Sequence, residues 1–313
     1  CIATGIGPTG APLTPLVETM ASAELLVDRK WEVDEARIEL QEKVGSGCTA
    51  EVYRGLLDGS EEVAVKQIDW DKSRLGVKEQ RAFDREVAIM PMVRHEHLVR
   101  FVGVVSLGRP LRIITEFCNG GCVFDLLHNA EDIDLSWPQR HKMCLDVASA
   151  MDYLHKFNPQ IIHRDLKSLN LLLSKPVESS RDVPIVKVSD FGLSRMKSTD
   201  PDGEWGKMTM AAGTCHWMAP EVVAGSTYDE KVDVYSYAMI LFEIICREIP
   251  FEDEETADVG RLTLQGQRPD LEAVPPDCPR HLFELMTACW DAAPPNRPSF
   301  SDVVLRLNRA AGR

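Results

Sequence analysis

The sequence predicts an α+β protein of two lobes: a small antiparallel five-stranded β lobe with one helix, then a larger, mainly α-helical lobe. Three observations carry this. Between Ile38 and Ile68, short apolar runs (Val52-Tyr53 and Val63-Ala64-Val65) flank an Asp58-Gly59 turn, which is hairpin chemistry. Phe83, Val87 and Met90 then recur at helical spacing, after which Leu98–Val105 and Leu111–Phe117 return to strand character. Beyond Gly120 helix dominates. Ser136 can cap, and Pro138 can occupy the first turn of, a helix whose Met143, Val147, Ala150 and Leu154 share one face.

A chain of 313 residues, 44% apolar and 27% charged, has the composition of a folded globular protein. Lys and Arg total 35 against 49 Asp and Glu, a net charge of -14, which repels nucleic acid and anionic membrane surfaces. The nine cysteines are scattered without a C-x-x-C pair, so reduced thiols and a cytoplasmic location are expected. No run approaches the ~18 apolar residues of a membrane span. The best candidate, Tyr235–Cys246, contains Ser236 and Glu243 and reads as a buried core helix. A basic start followed by an apolar stretch, as in a signal peptide, is not seen, and Cys1 stands where an initiator Met is expected, as in a fragment of something longer. Residues 1–30 read as a linker, with a helical lead-in over Glu24–Lys30, and residues 31–310 as one domain. Within it the small lobe spans about 31–117 and the large lobe about 122–310, the two meeting over about 115–121. Residues 174–186 and 194–212 are polar and too long for tight connections, hence surface or functional loops.

Gly45-Ser46-Gly47-Cys48-Thr49-Ala50 lies between the first strands, where missing side chains let backbone N–H groups approach phosphate oxygens. The letters also fit the dinucleotide fingerprint, with Asp69 about 20 residues on. That motif needs a helix after the glycines, whereas Val52-Tyr53 leads through Asp58-Gly59 into another strand. Lys66 ends an apolar run, where a strongly solvated charge calls for an anionic partner. Glu86, on the helix with Phe83, Val87 and Met90, can be aimed back at it. Together they can orient a phosphate ligand.

Two further motifs follow: His163-Arg164-Asp165-Leu166-Lys167-Ser168-Leu169-Asn170, then Ser189-Asp190-Phe191-Gly192. With the glycine-rich loop, Val63-Ala64-Val65-Lys66, Glu86 and Ala219-Pro220-Glu221, the chain resembles a eukaryotic protein kinase domain from about Trp31 to Ala310, with its bilobal fold. The resemblance implies ATP as phosphoryl donor, with Mg²⁺ or alternatively Mn²⁺. It implies that Lys66, paired to Glu86, contacts the α and β phosphates under the loop of Gly45, Ser46 and Gly47, that Asp190 and Asn170 hold metal, that Asp165 orients the substrate hydroxyl and that Lys167 faces the transferred phosphoryl group. It further implies a hinge at Thr115, Glu116 and Cys118 for adenine, a purine sandwich of Val52, Ala64 and Leu172, and Asp125 at the ribose. Met90, Phe101, His163 and Phe191 match the family's regulatory column.

Lys167 and the Trp217-Met218-Ala219-Pro220-Glu221 spelling resemble Ser/Thr kinases. With Trp31-Glu32-Val33-Asp34, Cys289-Trp290 and Arg297-Pro298-Ser299-Phe300, they are most similar to the tyrosine-kinase-like group containing the Raf and mixed-lineage kinases. Protein substrates are implied, with dual or tyrosine specificity, or a catalytically weak scaffold, as alternatives. On the same footing Arg297 is expected to pair with Glu221, and Asp233 to hold the catalytic loop from beneath. Arg164 and Arg195 suggest a basic pocket for a phosphate on Ser198, Thr199 or Thr209, placed by an upstream kinase or by autophosphorylation in trans. Thr214 is expected to support Asp165 and Lys167. Cys122, where a helix should begin, is expected to have a lowered thiol pKa, with Cys48 a second candidate. The chain departs from the family at Ala50, Tyr235 and Ala238, and the Asn170–Asp190 spacing points to an inserted loop at 174–186.

Overall fold

Alternation of side chains in the first third of the chain builds one antiparallel sheet. The structure, a computed structural model, describes residues 29–46, 50–68, 83–84, 86–107, 110–191, 194–196 and 215–312. Strands β1 (Ile38–Ser46), β2 (Ala50–Leu57), β3 (Glu61–Ile68), β4 (Phe101–Val105) and β5 (Leu111–Glu116) lie in the order β1-β2-β3-β5-β4. Asp58 and Gly59, at φ 53° and 70°, make the turn between β2 and β3. Odd positions of β3, Val63 and Val65, pack with Ile114, Val105, Val33 and Leu57 into a small apolar cluster. Ile68 and Ile113 instead join the main core with Phe83, Val87 and Met90, so the helical residues 83–84 and 86–89 dock against the sheet.

The expected strand from Leu98 begins only at Phe101. Residues 97–99 pair instead with β8 (Val186–Val188) of the other lobe: Val99 N–H donates to Val188 O at 3.0 Å and Val188 N–H to His97 O at 2.9 Å. This backbone joins the lobes, which the apolar run alone does not reveal.

The large lobe is built around α4 (Lys231–Cys246), whose residues Val232 to Ile245 are all buried. Around it lie α1 (Val123–His128), α2 (Trp137–Lys156), α3 (Pro220–Val223), α5 (Thr256–Leu264), α6 (Arg280–Cys289) and α7 (Phe300–Ala310). Ser136 caps α2 in a reciprocal box with Gln139, and Met143, Val147, Ala150 and Leu154 are wholly buried, as their spacing requires. No helix among the described residues is long and apolar enough to cross a membrane. Short strands β6 (Ile161–Ile162) and β9 (Arg195–Met196) pair, as do β7 (Leu171–Leu173) and β8 (Val186–Val188). The polar stretch 174–185 forms the loop between β7 and β8; Val186 at its end belongs to the strand. Of the amino-terminal segment, only the 3-10 turn Arg29–Trp31 falls within the described residues.

Arg297 is fully buried and bidentate on Glu221, with Nη1–Oε1 at 2.6 Å and Nη2–Oε2 at 2.9 Å, and its Nε donates to Asp291 O at 2.9 Å. Removing one member strands the other's charge. Arg297→Met is expected to lower the unfolding free energy by about 3–5 kcal/mol in urea titration, and adding Glu221→Gln to recover part of it.

Candidate functional site

Register brings the small-lobe candidates to one face of the sheet. On β3, Ala64 and Lys66 point the same way; Lys66 lies opposite Val52 and Ile113, Ala64 opposite Thr115, and Gly45 opposite Val52. Gly47 and Cys48 lie outside the described residues. Lys66 Nζ donates to Glu86 at 2.8 and 3.1 Å and to Asp190 Oδ1 at 3.1 Å. Burial works against the ammonium charge, but the carboxylates of Asp190 and Glu86 outweigh it and hold the Lys66 pKa above its ordinary value. Burial raises the Glu86 carboxyl, with the nearby Lys66 opposing.

Asp165, Lys167 and Asn170 form a second cluster. Lys167 Nζ lies 2.8 and 3.0 Å from the Asp165 oxygens, and Asn170 Nδ2 donates to Asp165 O at 2.8 Å and Oδ2 at 3.0 Å. Ser189 donates both its N–H and its hydroxyl to Asn170 O at 2.9 Å, tying this cluster to Asp190 next in sequence. The loop is held from α4: Asp233 accepts from His163 N–H at 2.9 Å and Arg164 N–H at 2.8 Å, with His155 Nε2 at 2.9 Å. Burial pushes the Asp233 carboxyl up, yet His155, the charge of His163 and the Arg164 N–H prevail and hold it below the usual carboxylate range. Arg164 and Asp190 have φ of 72° and 63°, left-handed backbone that non-glycine residues rarely adopt.

The hinge is fastened to both lobes. Glu116 N–H donates to Arg100 O at 2.9 Å, while its carboxylate accepts from Arg100 N–H at 2.7 Å and from Lys187 Nζ of β8 at 2.8 Å. Thr115 Oγ1 is 3.3 Å from Glu116 O, and Cys118 is buried. Gly120 N–H then donates to Leu173 O at 3.0 Å and Leu173 N–H to Gly121 O at 2.9 Å. A Cβ on Gly120 would lie 2.3 Å from Lys175 O, so only glycine permits this approach. Cys122 bridges to Leu172, which is half-buried between the buried Leu171 and Leu173. Met90, Phe101 and Phe191 share the main core, and the His163 and Phe191 rings lie 5.5 Å apart.

The family described as protein tyrosine and serine/threonine kinase matches residues 38–307. This chain belongs to the protein kinase family. It is 36% identical to the serine/threonine-protein kinase STY17 of Arabidopsis thaliana over 282 residues, which is 90% of this chain and 46% of that protein. It is 37% identical to the Arabidopsis thaliana serine/threonine-protein kinase VIK over 283 residues, 89% of this chain and 62% of VIK. It is 37% identical to the probable serine/threonine-protein kinase drkD of Dictyostelium discoideum over 275 residues, 88% of this chain and 20% of drkD. The chain thus spans less than two thirds of each of these relatives, and their names agree with its resemblance to the tyrosine-kinase-like Ser/Thr kinases.

Besides the pairing of residues 97–99 with Val188, sequence reasoning missed two side-chain features of this kinase domain. The Glu116–Lys187 contact joins positions 71 apart and has no motif. Glu243 was visible only as a charge inside an apolar run, yet the structure places it, fully buried, beneath Ser168. Ser198, Thr199, Thr209 and Thr214 lie outside the described residues, as does the side chain of Arg195.

The expectation for Cys122 is corrected. It does cap α1, but burial, and then the hydrogen bond to Asp125 Oδ2 at 3.1 Å, push its thiol up to about 11. A six-residue helix and an adjacent carboxylate do not favour a thiolate here. Iodoacetamide labelling of Cys122, followed by peptide mass spectrometry, is therefore expected to be slow at pH 7 and to rise about tenfold per pH unit towards pH 10 as the thiolate fraction grows. Asp125→Asn should accelerate it.

Proposed function

We propose that this domain transfers the γ-phosphoryl group of Mg-ATP to Ser or Thr hydroxyls of protein substrates. The observation that carries the reading is Lys66 held between Glu86 and Asp190, since it brings a cation from the small lobe against a carboxylate of the large lobe. In that reading Gly45, Ser46 and Gly47 cover the phosphates and Lys66 neutralises α and β oxygens. Thr115, Glu116 and Cys118 border adenine, Val52, Ala64 and Leu172 enclose the purine, and Asp125 lies at the ribose. The catalytic unit spans 31–310.

The donors suit a hard divalent cation. Asn170 directs its side-chain amide N–H groups to Asp165, which leaves its side-chain oxygen Oδ1 for a metal, and Asp190 supplies a carboxylate that is 40% exposed. A bound Mg²⁺ or Mn²⁺ would neutralise charge on the phosphate oxygens. Asp165 accepts the hydroxyl proton and orients its oxygen, while Lys167, 2.8 Å from that carboxylate, is placed to offset charge on the equatorial oxygens. Lys167 and the names of the relatives support Ser/Thr acceptors. Phosphate on Ser198, Thr199 or Thr209, from an upstream kinase or in trans, is the proposed control. A cytoplasmic location is proposed from the scattered cysteines without a C-x-x-C pair.

Incubation with labelled ATP, Mg²⁺ and a peptide library should give labelled phosphoserine or phosphothreonine. Asp165→Asn is expected to lower kcat by about 10²–10⁴-fold, with Lys66→Met and Asp190→Asn also strongly impaired. Full turnover by Asp165→Asn, or phosphotyrosine as the product, would contradict the reading.

A further inference from the structure

Where residues 97–99 meet the large lobe, one imidazole has an acceptor on each side. His97 Nδ1 is 2.9 Å from Val186 O, and its Nε2 is 3.3 Å from Asp146 Oδ1 on α2. A carbonyl oxygen only accepts, so Nδ1 carries a hydrogen and donates it. In a neutral ring that tautomer leaves Nε2 as a lone pair turned towards a carboxylate. Two acceptors face to face repel unless the pair holds one further proton. The side chains of His97 and Asp146 are 12% and 2% exposed, so water does little to relieve the contact. Asp146 has other donors, Lys142 Nζ at 2.7 Å from both oxygens and Val186 N–H at 3.1 Å from Oδ2. Burial raises its carboxyl against Lys142, His97 and the Val186 N–H, which favours keeping a proton at this contact.

The neighbouring groups have other partners. His95, on the same segment with its ring 5.6 Å away, accepts His97 N–H on Nδ1 at 3.1 Å, stacks on Tyr153 and has Nε2 3.4 Å from the Ser149 hydroxyl. Burial and then the charge of His97 hold it below the usual histidine range, against Glu96, Asp146 and Asp152. Lys187, next on β8, is committed to Glu116 at 2.8 Å. Two residues beyond Val188 stands Asp190, which meets Lys66 of the small lobe at 3.1 Å.

We propose that His97 and Asp146 form a proton-dependent clamp between the lobes, closed while the pair holds one proton and loosened when that proton leaves. The clamped pair binds the proton more tightly than the open pair, so by linkage its hold is present at low pH and is lost as pH rises. Looser seating of residues 97–99 on β8 frees Asp190 to shift against Lys66. The consequence for ATP use rests on the phosphoryl-transfer reading above; the consequence for the junction does not.

The test is amide hydrogen exchange read by mass spectrometry on the whole chain, between about pH 5.5 and 8.5, with each value corrected for intrinsic exchange. Wild-type protection of residues 97–99 and 186–188 is expected to fall about fivefold across that range, while β2, which carries no histidine, holds its own. Asp146→Asn keeps the shape and offers an amide N–H to Nε2, so a neutral ring suffices and protection should be flat with pH. His97→Gln has no titrating group and should be flat as well. A flat wild type, an equal fall in Asp146→Asn, or a parallel fall at β2 would overturn the proposal. In the activity arm, the ratio of wild-type to Asp146→Asn kcat/KM for ATP should drop about threefold over the same range. A ratio constant with pH would overturn the link to ATP use. An inactive wild type would refute the phosphoryl-transfer reading, and the exchange result would still decide the clamp.

Discussion

Charge buried inside α4 governs the rest of the large lobe. Asp233 and Glu243 are both fully buried on a helix whose own N–H groups are spent on its ladder, so their donors must come from elsewhere. Helices supply two partners, His155 on Asp233 and His128 on Glu243; the rest come from irregular chain: the His163 and Arg164 N–H groups, the Ser168 hydroxyl and the Trp217 indole. A loop with no ladder of its own thereby acquires fixed geometry at both ends. The helix serves less as a core element than as a template that dictates where Asp165 can be.

The cleft above depends on the opposite device, a cation drawn between two anions. Lys66 comes from β3, Glu86 from the helix docked by Phe83, Val87 and Met90, and Asp190 from the turn after β8. Docking of that helix is apolar and non-directional, so direction is supplied by the ion pair. The lobes also meet through residues 97–99 on Val188 and through Glu116 on Lys187. Together these limit how far Lys66, Glu86 and Asp190 can drift from residues 115–121.

How much of this could be read in the sequence follows from the range of each interaction. Strands β1 to β5, the cap at Ser136 and the face of α2 are local patterns and were legible. The Lys66–Glu86 and Arg297–Glu221 pairs join residues distant in sequence, and the first was anticipated because a charge at the end of an apolar strand demands a partner. Arg297–Glu221 and Asp233 came through the family resemblance. Glu243 did not, because a lone acid in an apolar run shows that donors are needed without showing which. Leu98 misled for a related reason: apolarity marks backbone that pairs, but not with which strand. At Cys122 the helix start was read well, and the carboxylate three residues on reversed its electrostatic meaning.

Arg164 and Asp190 occupy left-handed backbone that favours glycine. Relief of that strain, of the order of 1 kcal/mol or more per position, is available by a single substitution at either. A selection for heat resistance alone would reward it at position 190 while erasing the carboxylate that faces Lys66. Robustness and turnover therefore pull this backbone in opposite directions, and a more durable version of the fold is best sought away from these two residues.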